Sequence, residues 1–457
     1  MKSNKTLIIL ILVLTLILAG LIAAVIYINR EPAPPDETSI TTADSTGDTN
    51  SPSTEASTEA TEPPIVRESS ATVSAVGDVL MHIPVIKSGY QSDTGSYNFD
   101  TAFQYLLDYC TKADLAVANL ETTLAGTDNG YAYSGYPKFN CPDGIVDSLK
   151  TAGFDVLLTA NNHTYDTGTI GLQRTVQIVA ERQLQYLGTK ATADEPDYII
   201  TDLNGIQIGM LCYTYETSDG SDDILSLNGN TLSAADSPLV NAFSYQNLPA
   251  FYAELEDTLA QMETEGAEAT ILFIHWGNEY QTAANTTQQS IAQSLCDLGI
   301  DVIIGGHPHV VQPVELLTST VEESHKTVCL YSLGNIISNQ RKNLMNLNTG
   351  HTEDGVLFSV TFTKYSDGTV ILEDVDLIPT WVNMYYDSNW KKHYDILPLD
   401  TDVENWQTQY GLKDSAFADA QASYDRTMAI VGEGMTAVDT WLAEHTAQVE
   451  HLLGVEN

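Results

Sequence analysis

The chain has 457 residues, with 61 Asp and Glu against 19 Lys and Arg, for a formal charge of −42. That balance excludes nucleic acid as a partner held on a basic face, and anionic lipid held through a basic patch. With 43% hydrophobic residues the chain can bury a sizeable core, which excludes global disorder, and its five scattered cysteines make neither a disulfide framework nor a thiolate zinc site.

Residues 1–30 are predicted to form a membrane anchor. Met1 to Lys5 is a short basic flank, and Leu7 to Ile28 is a charge-free apolar run of 22 residues. As a helix that run spans about 33 Å, enough for a hydrocarbon core of roughly 30 Å. Lys2 and Lys5 precede it and acidic residues follow Arg30, so the positive-inside rule leaves the N-terminus in the cytoplasm. The expected localisation is the cell membrane, single-pass, with the body extracytoplasmic. Residues 31–69 form a linker. Within 31–68 stand 13 Ser or Thr, six Pro, nine acidic residues and one Arg, with almost no large apolar side chain. Such a segment buries too little surface to offset its ordering entropy, so it reads as a disordered tether.

From Ser70 the texture changes to short β-branched runs alternating with helical stretches. Strands are expected at 72–76, 114–118, 155–159, 206–213, 269–274 and 301–304. Helices are expected at 100–111, 143–152, 170–183, 248–265 and 288–298. Strands alternating with helices of this length predict an α/β fold, a β-sandwich flanked by helices. A hairpin around Ser366-Asp367-Gly368 closes a main domain of residues 70–385, and residues 386–457 read as an acidic, helical C-terminal extension.

The polar residues fall where the strands stop. Asp78, Glu121, Asn162 with His163, His275, and His307 with His309 follow five separate strands at their carboxyl ends. In open α/β sheets ligands bind beyond those ends, so these positions converge on one site although some 230 residues separate them. Together with His82 they make a mixed imidazole, carboxylate and amide set without thiolate. Such a set suits Mn, Fe or Zn better than Ca or Mg. It is too large for one tetrahedral ion, whereas two divalent ions sharing a bridging carboxylate would use it fully. Taken singly, Asp78 reads as a helix N-cap and His275 as a core histidine; taken together they do not.

These residues resemble known motifs. Gly77-Asp78, Asn161-Asn162-His163, His275 and Gly306-His307-Pro308-His309 resemble, in order, the motifs of the calcineurin-like metallophosphoesterase superfamily. The finer stretches resemble the CapA-type poly-γ-glutamate capsule biosynthesis proteins. They are Ala75-Val76-Gly77-Asp78, Ala118-Asn119-Leu120-Glu121, Thr159 to Gly168, His275 to Glu279, His307 to Gln312 and Tyr331 to Asn335. The resemblance covers roughly residues 70–340 and implies a metallophosphatase-like fold. It implies that Asp78, His82 and His309 hold one metal, that Asn162, His275 and His307 hold the other, and that Glu121 bridges them. By the same resemblance His163 is the general acid, with Asp166 as its orienting partner. The spacing from Asp78 to His82, and Glu rather than Asp at position 121, depart from the wider superfamily.

Three functions remain open at this point. The first is a di-metal hydrolase acting on a capsule polymer or cell-envelope intermediate. The second is a non-catalytic subunit for polymer assembly or export, working with other capsule synthesis subunits. The third is an extracellular phosphodiesterase or nucleotidase. A metal-binding set is common to all three and does not separate them.

Overall fold

A computed structural model of the protein describes residues 64–128, 130–218, 225–400 and 402–454. The predicted anchor, residues 1–30, and the predicted linker up to residue 63 lie outside the described residues, while residues 67–69, predicted as linker, begin the first strand, Arg67 pairing with Tyr365. Among the described residues no helix is long and apolar enough to cross a membrane.

The regular structure begins with β1 (Arg67–Val79), α1 (Ile83–Ser88), β2 (Leu115–Asn119), α2 (Gly144–Thr151), β3 (Val156–Leu158), α3 (Gly168–Glu181) and β4 (Gln185–Leu187). A second run follows with β5 (Tyr198–Leu203), β6 (Ile206–Glu216), β7 (Ala242–Ser244), α4 (Leu248–Thr264), β8 (Ala269–His275), α5 (Thr286–Asp297) and β9 (Val302–Gly306). Then come β10 (Val314–Thr318), β11 (Lys326–Leu330), β12 (Asn335–Ile337), β13 (Asp354–Tyr365), β14 (Val370–Tyr386) and β15 (Lys392–Pro398). Two helices end the chain, α6 (Val403–Gln409) and α7 (Asp414–Leu453).

The strands form two mixed sheets. The first runs β15-β14-β13-β1-β2-β3-β4, with β12 added beside β1. The second runs β7-β6-β8-β9-β11-β10, with β5 beside β6. Alternate residues of β1 (Ala71, Val73, Ala75) share one apolar core with Ile208, Met210, Ile271 and Phe273 of the second sheet. The two sheets therefore pack face to face, as the period-2 alternation of half-buried strands requires. Helices α1, α2 and α3 cover the outer face of the first sheet through Val85, Ile145, Leu149 and Val179. Helices α4 and α5 cover the second through Phe251, Leu255, Ile291 and Leu295. The result is a helix–sheet–sheet–helix sandwich.

Three local differences from the sequence expectation have physical reasons. The stretch expected as one helix over 100–111 is two short helical turns, Asp100–Phe103 and Leu107–Cys110. Phe103 and Leu106 are buried in the outer core while the Tyr105 ring meets Tyr410 at 4.8 Å, so packing overrides the local helical period. Helix α5 starts at Thr286, two residues before the expected Gln288, because Asn285 and Gln288 form a reciprocal capping box. The segment 386–457 is not helical throughout: β15 lies inside it and pairs antiparallel with β14, Asn383 opposite Asp395.

Helix α7 runs 40 residues and packs against β14 and β10. Its Val431, Val438 and Leu442 join the core shared by both sheets, so it closes one side of the sandwich and covers the edge strand β10. Close approach is needed there: a Cβ on Gly434 would stand 1.9 Å from the Val314 carbonyl oxygen. Arg426 of α7 holds the buried Asp354 carboxylate with two nitrogens, and Ser423 donates to the same group.

Candidate metal centre

Parallel register brings the strand ends level. In the first sheet Asp78 pairs with Asn119 across β1 and β2 and with Asn335 across β1 and β12. In the second, His275 at the end of β8 pairs with Gly306 at the end of β9. Gly77 is obligatory here, because a Cβ would come within 1.9 Å of the Gly334 oxygen that accepts from the Asp78 N–H. His307 and His309 both take positive φ, +95° and +55°, on the loop after β9. Such conformations cost on the order of 1–3 kcal/mol each and persist where surrounding structure imposes them.

At the centre is Glu121. It is fully buried, and neither carboxylate oxygen has a hydrogen-bond partner. Its Oε1 lies 3.5 Å from His275 Nε2 and 4.0 Å from His163 Nε2, and its Oε2 lies 3.8 Å from His309 Nδ1. Two groups of donor atoms result, Glu121 with His275 and His307, and Asp78 with Glu121 and His309, each within 4.8 Å of one another. Glu121 is common to both. Asn162 joins the first, its Oδ1 3.0 Å from His275 Nε2, and Asp78 Oδ2 lies 3.0 Å from His309 Nδ1.

Burial, with the charges of Asp78, Glu279 and Asp166 adding to it, pushes the Glu121 carboxyl well above the usual range. Burial acts the same way on Asp78, but the His309 hydrogen bond and the nearby imidazoles outweigh it and hold that carboxyl below its ordinary value. Burial lowers His275 to about 3 and takes His307 well down, so both rings are neutral, the form that binds metal. His307 Nδ1 is buried without a partner while its Nε2 lies 3.3 Å from the Tyr215 hydroxyl. Orphaned carboxylate oxygens facing neutral imidazole nitrogens fit divalent ions, since an unpaired buried charge otherwise costs several kcal/mol.

His163 and Asp166 stand at the edge of this cluster. His163 Nδ1 lies 2.7 Å from Asp166 Oδ2, which also accepts from the Phe139 N–H. With Nδ1 bonded to the carboxylate, Nε2 is the free nitrogen and faces Glu121. The Phe139 ring packs edge-on against His163 at 4.7 Å and against His82 at 5.4 Å.

His82 is the one predicted ligand that the structure does not bring into either group. His82 stands on the turn that leads into α1, and its Nδ1 lies 3.3 Å from the Asn339 nitrogen just past β12. The same Nδ1 lies 3.3 Å from the Leu80 carbonyl oxygen, so it is turned to the backbone in either tautomer, and burial lowers the ring to about 4.

Sequence reasoning missed a row of supporting amides. Asn119 Nδ2 donates to Asp78 Oδ1 at 2.7 Å, and Asn161 Nδ2 donates to Asn119 Oδ1 at 3.2 Å. Asn335 Nδ2 donates to the His309 carbonyl at 3.1 Å. Asn119 ends β2 and Asn161 follows β3, as the candidate ligands do, and that position was the available signal; Asn335 instead opens β12. Tyr215, near the end of β6, was missed for want of any charge.

A helix-flanked double sheet with imidazoles and carboxylates gathered at its strand ends defines an α/β protein with a candidate metal-binding site. The profile of the family described as bacterial capsule synthesis protein PGA_cap matches residues 72–340, more than half of the chain, and the chain belongs to that family. It is 26% identical over 337 residues to the capsule biosynthesis protein CapA of Bacillus anthracis, covering 70% of each chain. It is 26% identical over 309 residues to the PGA biosynthesis protein CapA of Bacillus subtilis, covering 66% of this chain and 71% of that one. Among solved structures, a candidate 5′-nucleotidase of Staphylococcus aureus in complex with α-ketoglutarate aligns with a TM-score of 0.39 and 13% identity. The alignment covers 78% of this chain and 58% of that one, a likeness too slight to carry an argument.

Proposed function

We propose that the chain is a membrane-tethered, extracytoplasmic protein of capsule or poly-γ-glutamate biosynthesis whose strand-end cluster is a di-metal hydrolase site. Glu121 carries this reading: a fully buried carboxylate with two orphaned oxygens, shared by two groups of donors. Asp78, Glu121 and His309 would hold one ion, and Glu121, Asn162, His275 and His307 the other, Mn, Fe or Zn by the chemistry of the set. When bound, such a pair supplies Lewis acidity and a water that ionises near neutral pH. As an imidazolium whose Nδ1–H stays on Asp166, His163 would pass its Nε2 proton to the leaving oxygen and end neutral, a task worth about 10²–10⁴-fold in rate. Asp166 fixes the ring so that this nitrogen faces the cluster. The substrate is an exported capsule polymer or cell-envelope intermediate, met at the membrane face where the predicted anchor and the linker ahead of β1 hold the body. Long-range attraction of a polyanion is not available at a charge of −42, so recognition is local.

The test pairs elemental analysis with activity. His163→Ala should keep its metal content and lose turnover on phosphomonoester, phosphodiester or γ-glutamyl substrates, whereas His307→Ala should lose metal. If His163→Ala supports normal polymer output in cells while Glu121→Ala does not, the ions are structural and the assembly role replaces the catalytic one. Protease added to intact cells should release the body by cutting within 31–66, ahead of β1; a body as protected as a cytosolic marker would refute the topology.

A further inference from the structure

A cavity of about 410 Å³, away from the metal cluster, lies between the hairpin of β14 and β15 and the junction of α6 with α7. Its size is that of a small-molecule site, and no residue of the metal cluster lines it. Tyr105, Tyr385, Trp381 and Tyr410 contribute aromatic surface, with Tyr105 and Tyr410 in edge-to-face contact at 4.8 Å.

The charges lining this cavity sort into paired and unpaired. Arg341 Nη2 is held by Glu353 at 2.9 Å, and Asp419 by Lys342 at 2.7 Å. Asp395 and Lys413 have no ion-pair partner among the described residues. Asp395 is 7% exposed, with only the Tyr385 hydroxyl and the His393 charge to hold it as an anion. Opposite it on β14 stands Asn383, 8% exposed, whose amide makes no hydrogen bond among the described residues. Both side chains line the cavity, so a ligand seated there can hydrogen-bond to them.

We propose that this cavity binds a small zwitterion, an α-amino acid or the amino-terminal residue of a short peptide. The ammonium meets Asp395 and the tyrosine rings, the carboxylate meets Lys413, and the Asn383 amide bonds to either. Aromatic faces attract an ammonium, and Asn383 offers both donors and an acceptor. A dianion would meet Asp395 unfavourably, a simple cation would leave Lys413 unmatched, and an apolar ligand would strand the Asp395 and Asn383 groups. Residues 410–419, which carry no catalytic motif, supply one wall, so ligand binding is the task this places on the C-terminal segment.

The experiment is calorimetric titration of the full-length protein with L-alanine, L-glutamate and L-lysine, alongside ethylamine and acetate as half-probes. At least one amino acid should bind saturably, at least tenfold tighter than either half-probe. Asp395→Asn and Lys413→Met should each weaken that binding at least tenfold with metal content unchanged. No saturable amino-acid binding overturns the proposal, as does affinity unchanged in a cooperatively melting Asp395→Asn. If Asp395→Asn fails to melt cooperatively, Lys413→Met at its exposed position decides, and unchanged affinity there overturns the proposal.

Discussion

Replacing Glu121 with Gln should stabilise the metal-free protein and destabilise the metal-loaded one. Both carboxylate oxygens are buried without a hydrogen bond, and the nearest donors are imidazole nitrogens at 3.5, 3.8 and 4.0 Å. Leaving a buried polar group unsatisfied costs about 1–3 kcal/mol, and more when it is charged. Gln keeps the shape and cannot ionise, so the cost of burying an ionisable carboxyl is removed and about 2 kcal/mol should return in the presence of a chelator. In a body of this size that is a rise of roughly 3 °C in Tm. With metal at a thousandfold excess over its Kd, the wild type gains about 4 kcal/mol by mass action. The variant loses an anionic donor from both groups at once, so most of that gain disappears. The order of melting temperatures should therefore invert between chelator and saturating Mn²⁺ or Zn²⁺, read by scanning calorimetry with elemental analysis on the same samples. A variant that melts below the wild type in chelator, or that metal stabilises as much as the wild type, would refute the bridging role.

Asp395→Asn tests burial elsewhere by pH. Burial raises the Asp395 carboxyl to about 6, opposed by Tyr385 and His393. A raised carboxyl costs stability above its folded value, and the cost fades as pH falls from about 6 toward 4. After discounting for solvent screening, Asp395→Asn should add about 1.5 kcal/mol at pH 7 and nothing at pH 4, measured by urea unfolding. Gly434→Ala gains up to about 1 kcal/mol of helix propensity but drives a Cβ to 1.9 Å from the Val314 oxygen. The clash should win, with a net loss of about 1–3 kcal/mol; a raised Tm would show that α7 is free to shift. Arg426→Ala leaves the Asp354 carboxylate, 2% exposed, without its bidentate partner. Breaking a buried pair costs about 3–5 kcal/mol, and the exposure of Arg426 places this one near 3, checked by denaturant midpoint. A loss under 1 kcal/mol would mean that Ser423 and His351 compensate.

The strands and their last residues were legible because both signals are local. A β-branched run such as 269–274 specifies its own strand, and a histidine immediately after it stands at the carboxyl end whatever the neighbouring strands do. The break at Gln104 to Leu106 and the strand β15 were not legible, since each exists through a distant partner: Tyr410 for the first, β14 for the second. His82 shows the same limit within the site. Its residue type suited a ligand, but the loop after β1 turns its Nδ1 to the Asn339 N–H.

The amino-acid order alone determined which donors are available: two carboxylates, an amide and three imidazoles at strand ends, with a histidine and an aspartate three residues apart beside them. Which of these meet was decided by the packing of two sheets. Asp78, Glu121, Asn162 and His163 come from the first sheet and His275, His307 and His309 from the second, so contact between the sets exists only once the shared core between the sheets has formed. The orphaned state of Glu121 is likewise tertiary, because a side chain lacks partners only relative to what surrounds it. The zwitterion cavity follows the same reasoning. Asp395 and Lys413 are ordinary residues in sequence, and the antiparallel pairing of β14 with β15 beneath the turn into α7 sets them around one space.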